Sequence, residues 1–347
     1  MTSPSVKKII ESANGLVSEL LDTLKTRNSE NIFSGDDLKQ LIDGLADENN
    51  GPLKNTFLES LINELLSEAR AAAQPVGVAY LGPEGTFSNI AMNSFFGTSV
   101  KGHPVKTIPD VFRSVEKSEV EYGVVPIENS TEGSVTYTLD ELMDTSLHII
   151  AEKSVRITFS LLSLSGDISR VKKVYTHPQP AGQARIWLRN NLPSAEIVYV
   201  DSTTKAAELA AADDSSAAIS SDIAAGIYGL AAAARSIEDL RQNFTRFCVL
   251  GRSTSPRTGN DKTSIACSVK DKPGALIRLL TPMSELAINM TRIESRPDKK
   301  TAWQYNFFID ITGHRDDPGV REALDRMRDE TIFIKILGSY PAGNTAE

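Results

Sequence analysis

Five short segments hold the side chains that could do chemistry, and each borders an apolar run. Gly82-Pro83-Glu84-Gly85-Thr86-Phe87-Ser88 offers two hydroxyls, Thr86 and Ser88, at the mouth of a helix, where free backbone N–H groups suit a carboxylate. Val124 to Ser130 ends in Glu128, Asn129 and Ser130 and continues through Thr131-Glu132-Gly133-Ser134, so a carboxylate, an amide and several hydroxyls share one strand end. Thr176-His177-Pro178-Gln179-Pro180, with Gln183 after it, adds an imidazole able to move a proton near neutral pH. Asp201-Ser202-Thr203-Thr204 brings the hydroxyls of Ser202 and Thr203 to another strand end. In Asn243-Phe244-Thr245-Arg246-Phe247, Thr245 can donate one directed hydrogen bond and Arg246 can grip a carboxylate bidentately. Taken singly, each has a plainer reading: a capped turn, a helix-entry histidine, an N-cap, an exposed Arg on an edge strand. Four polar strand ends in one domain are explained more economically by a shared cleft.

The elements that must position these groups follow from the hydrophobic pattern. From Val76 onward, short apolar runs at Val76–Leu81, Gly123–Ile127, Val171–Tyr175, Glu196–Val200 and Ala217–Ser220 alternate with helical segments, which predicts a parallel α/β sheet. Ligand sites in such sheets lie beyond the carboxyl ends of the strands, where the polar clusters fall. Residues 1–73 repeat apolar residues at helical spacing, with breaks at Asn31-Ser34-Gly35 and Glu48 to Pro52, and read as three helices. A polar linker, Arg252 to Asp261, precedes a change of pattern: strand, helix after Pro273-Gly274, two strands, helix, strand. That βαββαβ order is ferredoxin-like.

With 347 residues the chain can bury two or three cores, and its formal net charge of -8 excludes a non-specific electrostatic grip on nucleic acid or an anionic membrane. No apolar run approaches the roughly 20 residues that cross a bilayer, and the N-terminus lacks a secretory h-region, so a cytoplasmic protein is expected. Cys248 and Cys267 lack metal-ligand spacing and read as buried thiols, with no structural metal expected.

The set GPEGTFS, VPIENSTEGS, THPQP, DSTTKAAELAA and RQNFTRFCVLGR, in this order and at these separations, closely resembles the prephenate dehydratase family over residues 76–251. Residues 262–340 resemble the ACT regulatory domain of the same enzymes. Gly274, Ala275 and Leu276 stand at its effector loop, and Glu294, Ser295, Arg296 and Pro297 at its phenylalanine-sensing motif. Residues 1–73 look like the helical chorismate mutase domain of bifunctional members, most visibly in ENNGPLKNTFLESLINELLSEAR.

The resemblance implies a helical N-terminal segment, a two-lobed α/β catalytic domain like that of periplasmic binding proteins, and a C-terminal ferredoxin-like ACT domain. It also implies conversion of prephenate to phenylpyruvate, carbon dioxide and water without a metal or organic cofactor, feedback by phenylalanine, and a homodimer or homotetramer. Thr245 is then expected at the reacting centre as a hydrogen-bond donor, fed by either Glu128 or His177, because a hydroxyl alone is too weak an acid. Thr86, Ser88, Asn129, Ser130, Thr176, Gln183, Ser202, Thr203 and Phe247 would contact the substrate, and Arg246 would clamp a carboxylate or support the lobe interface. The N-terminal segment departs from the family: it holds seven basic against twelve acidic residues, and Ser34-Gly35-Asp36-Asp37 stands where an Arg-Glu pair is expected. A chorismate dianion needs converging cations, so an inactive helical arm is expected there. Bifunctionality, arogenate dehydratase activity and a non-catalytic aromatic-acid sensor are the alternatives.

Overall fold

The computed structural model describes residues 54–73, 76–240, 242–270, 272–298 and 304–343, together with Lys8, Gly15 and Ser18. The helices expected before residue 54, and the cations Arg27 and Lys39 within them, lie outside the described residues. Helix α1 (Asn55–Ala73) packs on the next domain: Asn63 Nδ2 donates to the Ser94 carbonyl at 3.3 Å, and Glu64 accepts from the N–H and hydroxyl of Thr98 at 3.0 and 2.6 Å. Leu66, Ser67 and Ala69 are buried in that contact.

The first lobe is built on β1 (Gly77–Leu81), α2 (Phe87–Phe96), β2 (Lys101–Val105), α3 (Ile108–Glu116), β3 (Tyr122–Asn129), β4 (Gly133–Ser134), α4 (Thr136–Asp144) and β5 (His148–Arg156). Hydroxyl N-caps start α2 and α3, where Thr86 and Thr107 accept from the N–H three residues on. The chain then forms a second lobe: β6 (Ser160–Ser163), β7 (Lys173–Thr176), α5 (Pro178–Gln183), α6 (Arg185–Asn191), β8 (Glu196–Tyr199), α7 (Thr203–Ala210), β9 (Ser216–Ser220), α8 (Asp222–Tyr228) and β10 (Ala231–Ala234). It returns as β11 (Phe244–Gly251), which completes the first sheet in the order β2-β1-β3-β11-β5, with β4 on β3. The second sheet runs β10-β6-β9-β7-β8.

Neither sheet is wholly parallel, as the alternation alone would suggest. β1 pairs in parallel with β2 and β3, but β11 runs antiparallel to β3 and β5, and β6 antiparallel to β9 and β10. The exceptions are strands next to the crossings between lobes, where direction is set by where the chain re-enters and not by a βαβ crossover. The two crossings are tied together by the Ile157 N–H donating to the Asn243 carbonyl at 2.8 Å.

The third domain comprises β12 (Asp261–Val269), α9 (Ala275–Glu285), β13 (Met290–Pro297), β14 (Tyr305–Thr312), α10 (Pro318–Glu330) and β15 (Thr331–Pro341), in the sheet order β13-β14-β12-β15. That is the ferredoxin-like arrangement. One sheet face buries Ile265, Cys267, Ile309 and Ile311 under the helices, and the other carries Ala266, Phe308, Leu337 and Tyr340 into the core of the first lobe, against Ile127, Leu139, Ile149 and Leu250. Cys248 and Cys267 are buried free thiols, pushed up to about 12 by burial. Among the described residues no helix is long and apolar enough to cross a membrane.

Candidate active site

The C-terminal end of β3 and the start of β11 meet at the lobe junction, with Thr245 opposite Asn129 in the ladder. Both side chains are buried. Asn129 donates from Nδ2 to Thr245 Oγ1 and to Asn243 Oδ1, each at 2.9 Å. Its carbonyl oxygen accepts from the Thr131 N–H at 3.0 Å, the Thr131 hydroxyl at 2.6 Å and the Glu132 N–H at 3.1 Å. The amide is thereby fixed on both sides, and Thr245 Oγ1 is an acceptor from it, which leaves the hydroxyl proton to be donated elsewhere.

The second lobe reaches this pair through Gln183 at the end of α5. Its Oε1 accepts from Asn243 Nδ2 at 2.9 Å, and its Nε2 lies 3.4 Å from Thr131 Oγ1 and 3.3 Å from Glu132 Oε1. Ser130 pins the crossing: its N–H donates to the Phe244 carbonyl at 2.8 Å, and its hydroxyl accepts from the Phe244 N–H at 3.0 Å. A second bridge joins the lobes where Ser221 and Thr204 donate to the carbonyls of Gly85 and Glu84 at 2.8 and 3.5 Å. Gly85 has φ +83, and a Cβ there would come within 3.0 Å of Ile227 across the junction.

The remaining residues singled out from the sequence cap strand and helix ends. Thr86 caps α2 and donates to the Leu81 carbonyl at 3.0 Å, while Ser88 is buried in the first turn. Thr176 is buried and donates to the His177 carbonyl at 3.0 Å. His177 caps α5, its Nδ1 accepting from the Gln179 N–H at 3.3 Å, so a neutral ring carries its proton on Nε2. Ser202 caps α7 by accepting from the Lys205 N–H at 3.0 Å, with Thr203 half-buried beside it.

Three residues lie elsewhere than the sequence suggested. Glu128 and Arg246 face each other in the same ladder as Asn129 and Thr245, one residue along, and alternation turns them to the opposite face of the sheet. There Arg246 donates from Nε to Glu152 at 2.6 Å, from Nη1 to Asp310 at 2.6 Å and from Nη2 to Tyr340 at 3.1 Å. Burial pulls its pKa down, and Tyr340, Asp310 and Glu152 more than reverse this, so it stays a cation held by the third domain and is not free to clamp a substrate. Burial would likewise raise Asp310, but Arg246 and the Ser264 hydroxyl keep its carboxyl below the ordinary range. Glu128 pairs with Arg292 Nε at 3.2 Å and Arg246 Nη1 at 3.6 Å, away from Thr245. Phe247 is buried in the core beneath α2, with Tyr80, Met92 and Phe96. Asn243, Thr131 and Glu132, which the sequence placed in the polar clusters without a role, and Ser221, which it did not single out, complete the hydrogen-bond network of the junction. Asn243 sits in the same run as Thr245, and an amide before a strand is equally compatible with a turn, so its type alone carries no signal for the site.

In the third domain, Gly274 has φ +79 and opens α9 ahead of Ala275 and Leu276. Along the edge strand β13, Ser295 and Pro297 are exposed, Glu294 is half-buried, and Arg296 pairs with Asp140 of α4 at 3.1 Å. No group of three or more His, Cys, Asp or Glu able to hold a metal ion occurs among the described residues.

Residues 78–255 match the family model for prephenate dehydratase, and residues 263–329 that for the ACT domain. A bifunctional chorismate mutase/prephenate dehydratase of Aquifex aeolicus is 45% identical over 84% of this chain and 80% of its own length. A prephenate dehydratase of Mycobacterium sp. strain JLS is 37% identical over 78% of this chain and 90% of its own. The crystal structure of prephenate dehydratase from Arthrobacter aurescens in complex with L-Phe superposes with a TM-score of 0.71 at 35% identity, over 77% of this chain and 90% of that one. By a family model spanning half its length and by relatives alike over most of both chains, this chain belongs to the prephenate dehydratase family.

Proposed function

We propose that the chain converts prephenate to phenylpyruvate at the lobe junction and that phenylalanine regulates it through the ACT domain. The observation that carries the reading is the Asn129–Thr245 pair, in which the amide takes up one lone pair of Thr245 and leaves its proton for the ring hydroxyl. The electrons of the breaking ring carbon–carboxylate bond flow into the ring, carbon dioxide departs, and the ring carbon–oxygen bond breaks at the other end. The leaving oxygen takes up one proton and departs as water. With Glu128 on the far side of the sheet, His177 is the one of the two expected proton sources that remains. Withdrawal of Arg246 from the cleft leaves neutral groups, such as Ser88, Thr203 and Gln183, to orient the substrate. A strong ion pair on the departing carboxylate would anchor the charge that must drain into the ring, so neutral donors suit the step.

The effector reading rests on the ACT match, on the left-handed opening of α9 at Gly274, and on apolar residues left exposed on this domain, Ile277 at 72% and Ile332 at 53%, which suit pairing with a second copy. A homo-oligomer in a reducing, cytoplasmic setting follows, consistent with two buried free thiols. The test is to supply purified protein with prephenate, arogenate and chorismate side by side and follow the products, with and without phenylalanine. Phenylpyruvate from prephenate, slowed by phenylalanine, is expected. Absence of prephenate turnover would sink the reading, and turnover of chorismate would make the chain bifunctional.

A further inference from the structure

A side chain of the third domain, Arg292, braces from behind the hairpin that carries Asn129. β4 folds back on β3, pairing Ser134 with Glu128 and Gly133 with Asn129. The turn between them, Ser130 to Glu132, is the one whose N–H groups Asn129 accepts. On the opposite face, Arg292 of β13 spans both strands of this hairpin: its Nε lies 3.2 Å from Glu128 Oε2, and its Nη2 donates to Ser134 Oγ at 2.6 Å. Its side chain is almost fully buried, and its ladder partner in the third domain is Asp310, which also binds Arg246 behind Thr245. The two catalytic-face residues therefore each have a back-face neighbour, Glu128 and Arg246, fixed by charges that belong to the regulatory domain.

We propose that Arg292 is a positioning residue of the dehydratase site, stapling the 128–134 hairpin so that Asn129 points the Thr245 hydroxyl into the cleft. This rests on the dehydratase reading given above and assigns it a part contributed by the third domain. Because β13 also carries Glu294 to Pro297, a shift of that strand moves the staple directly. A displacement of the reacting donor of about an ångström is enough to cost orders of magnitude in rate while leaving much of the binding intact.

The experiment measures kcat and KM for prephenate, with melting temperature, for wild type, Arg292→Met, Arg292→Lys and Ser134→Ala, well below each protein's melting point. Arg292→Met is expected to lower kcat roughly 10-fold or more with KM within about twofold. Arg292→Lys keeps the charge beside Glu128 but lacks the second arm to Ser134, and is expected to recover part of that loss. Ser134→Ala removes one hydrogen bond but keeps the Arg292–Glu128 ion pair, so it folds even if Arg292→Met does not, and is expected to lower kcat a few-fold, again at unchanged KM. Unchanged kcat in Ser134→Ala and in folded Arg292→Met, or a loss carried by KM alone, would overturn the positioning role while leaving the dehydratase reading intact. A wild type that does not turn over prephenate would overturn both.

Discussion

Asn129 is committed in every direction, since its two amide hydrogens go to Thr245 and Asn243 and its oxygen accepts from Thr131 and Glu132. Its chemical effect is to fix which way the Thr245 hydroxyl donates. Thr245→Ala is expected to lower prephenate turnover by more than about 100-fold in a folded protein, and Thr245→Ser to keep appreciable activity, because the hydroxyl survives. Steady-state kinetics on circular-dichroism-matched proteins would decide it, and near-normal turnover of the alanine variant would remove Thr245 from the reacting centre. Asn129→Asp tests the orientation separately. A carboxylate offers only lone pairs, so it would draw the Thr245 proton to itself and away from the cleft, and a loss of about 100-fold in kcat is expected despite near-identical shape. If that variant retains full turnover, the amide is scaffolding alone. In the sequence Thr245 stood out through the resemblance of its motif to the family and not through its residue type, since a hydroxyl in an aromatic-flanked strand also reads as part of a plain edge strand. The surroundings of Glu128, Arg246 and Phe247 were not legible for a definite reason: alternation along a strand says that Glu128 and Asn129 face opposite ways, but not which face meets the cleft and which meets another domain.

At the scale of elements, the five strands read from apolar runs ended by Gly, Pro or a polar cluster fall within about two residues of those observed, as at Gly123–Ile127 against Tyr122–Asn129, whereas β2, β5, β6 and β10 were not among them. Strand direction was not legible, because the pattern of β11 is the same whichever way it runs in the sheet. The docking of α1 was equally hidden, since its apolar stripe says only that one face is covered. That docking depends on Gly97, which ends α2 at φ +77 and would place a Cβ 2.4 Å from Ser67 Cβ and 2.6 Å from its Oγ. Gly229 ends α8 with a similar φ of +64 but faces open space. Gly229→Ala is expected to cost about 1–2 kcal/mol, the strain of a left-handed alanine alone, whereas Gly97→Ala adds overpacking and a backbone at ψ -176 that only glycine adopts readily, and is expected to cost roughly 2–4 kcal/mol. Urea denaturation of both variants measures the difference, and equal losses would mean that α1 contributes nothing at that contact.

At the scale of the whole molecule, the third domain is part of the first lobe's core and not an appendage on a linker. Phe308, Leu337 and Tyr340 fill that core, and Lys335 donates from Nζ to the carbonyls of Leu142 and Met143 at 2.9 and 3.1 Å, closing the C-terminal end of α4 from across the junction. Removing residues 262–347 would expose this face and strip Arg246 of Asp310 and Tyr340 and Glu152 of Lys262, so deletion is a poor probe of phenylalanine control, and the junction itself is probed more gently by pH. His148 opens β5 at the same junction. Its pKa is lowered from 6.5, first by burial and then by the charges of Arg315 and Lys335, both from the third domain. A histidine whose folded pKa is lowered is protonated more readily in the unfolded chain, so its contribution to stability is complete above about 6.5 and declines as pH falls from there toward the lower folded value. Below that window the depressed Asp310 carboxyl adds a second loss, since its contribution holds above the ordinary carboxylate range and disappears as pH falls through its own lower value. The melting temperature is therefore expected to fall between pH 7 and 5, and His148→Gln to flatten that slope without changing the steeper loss at lower pH. Parallel melting curves of the two proteins across pH 5–8 would show that the junction does not sense protons through His148.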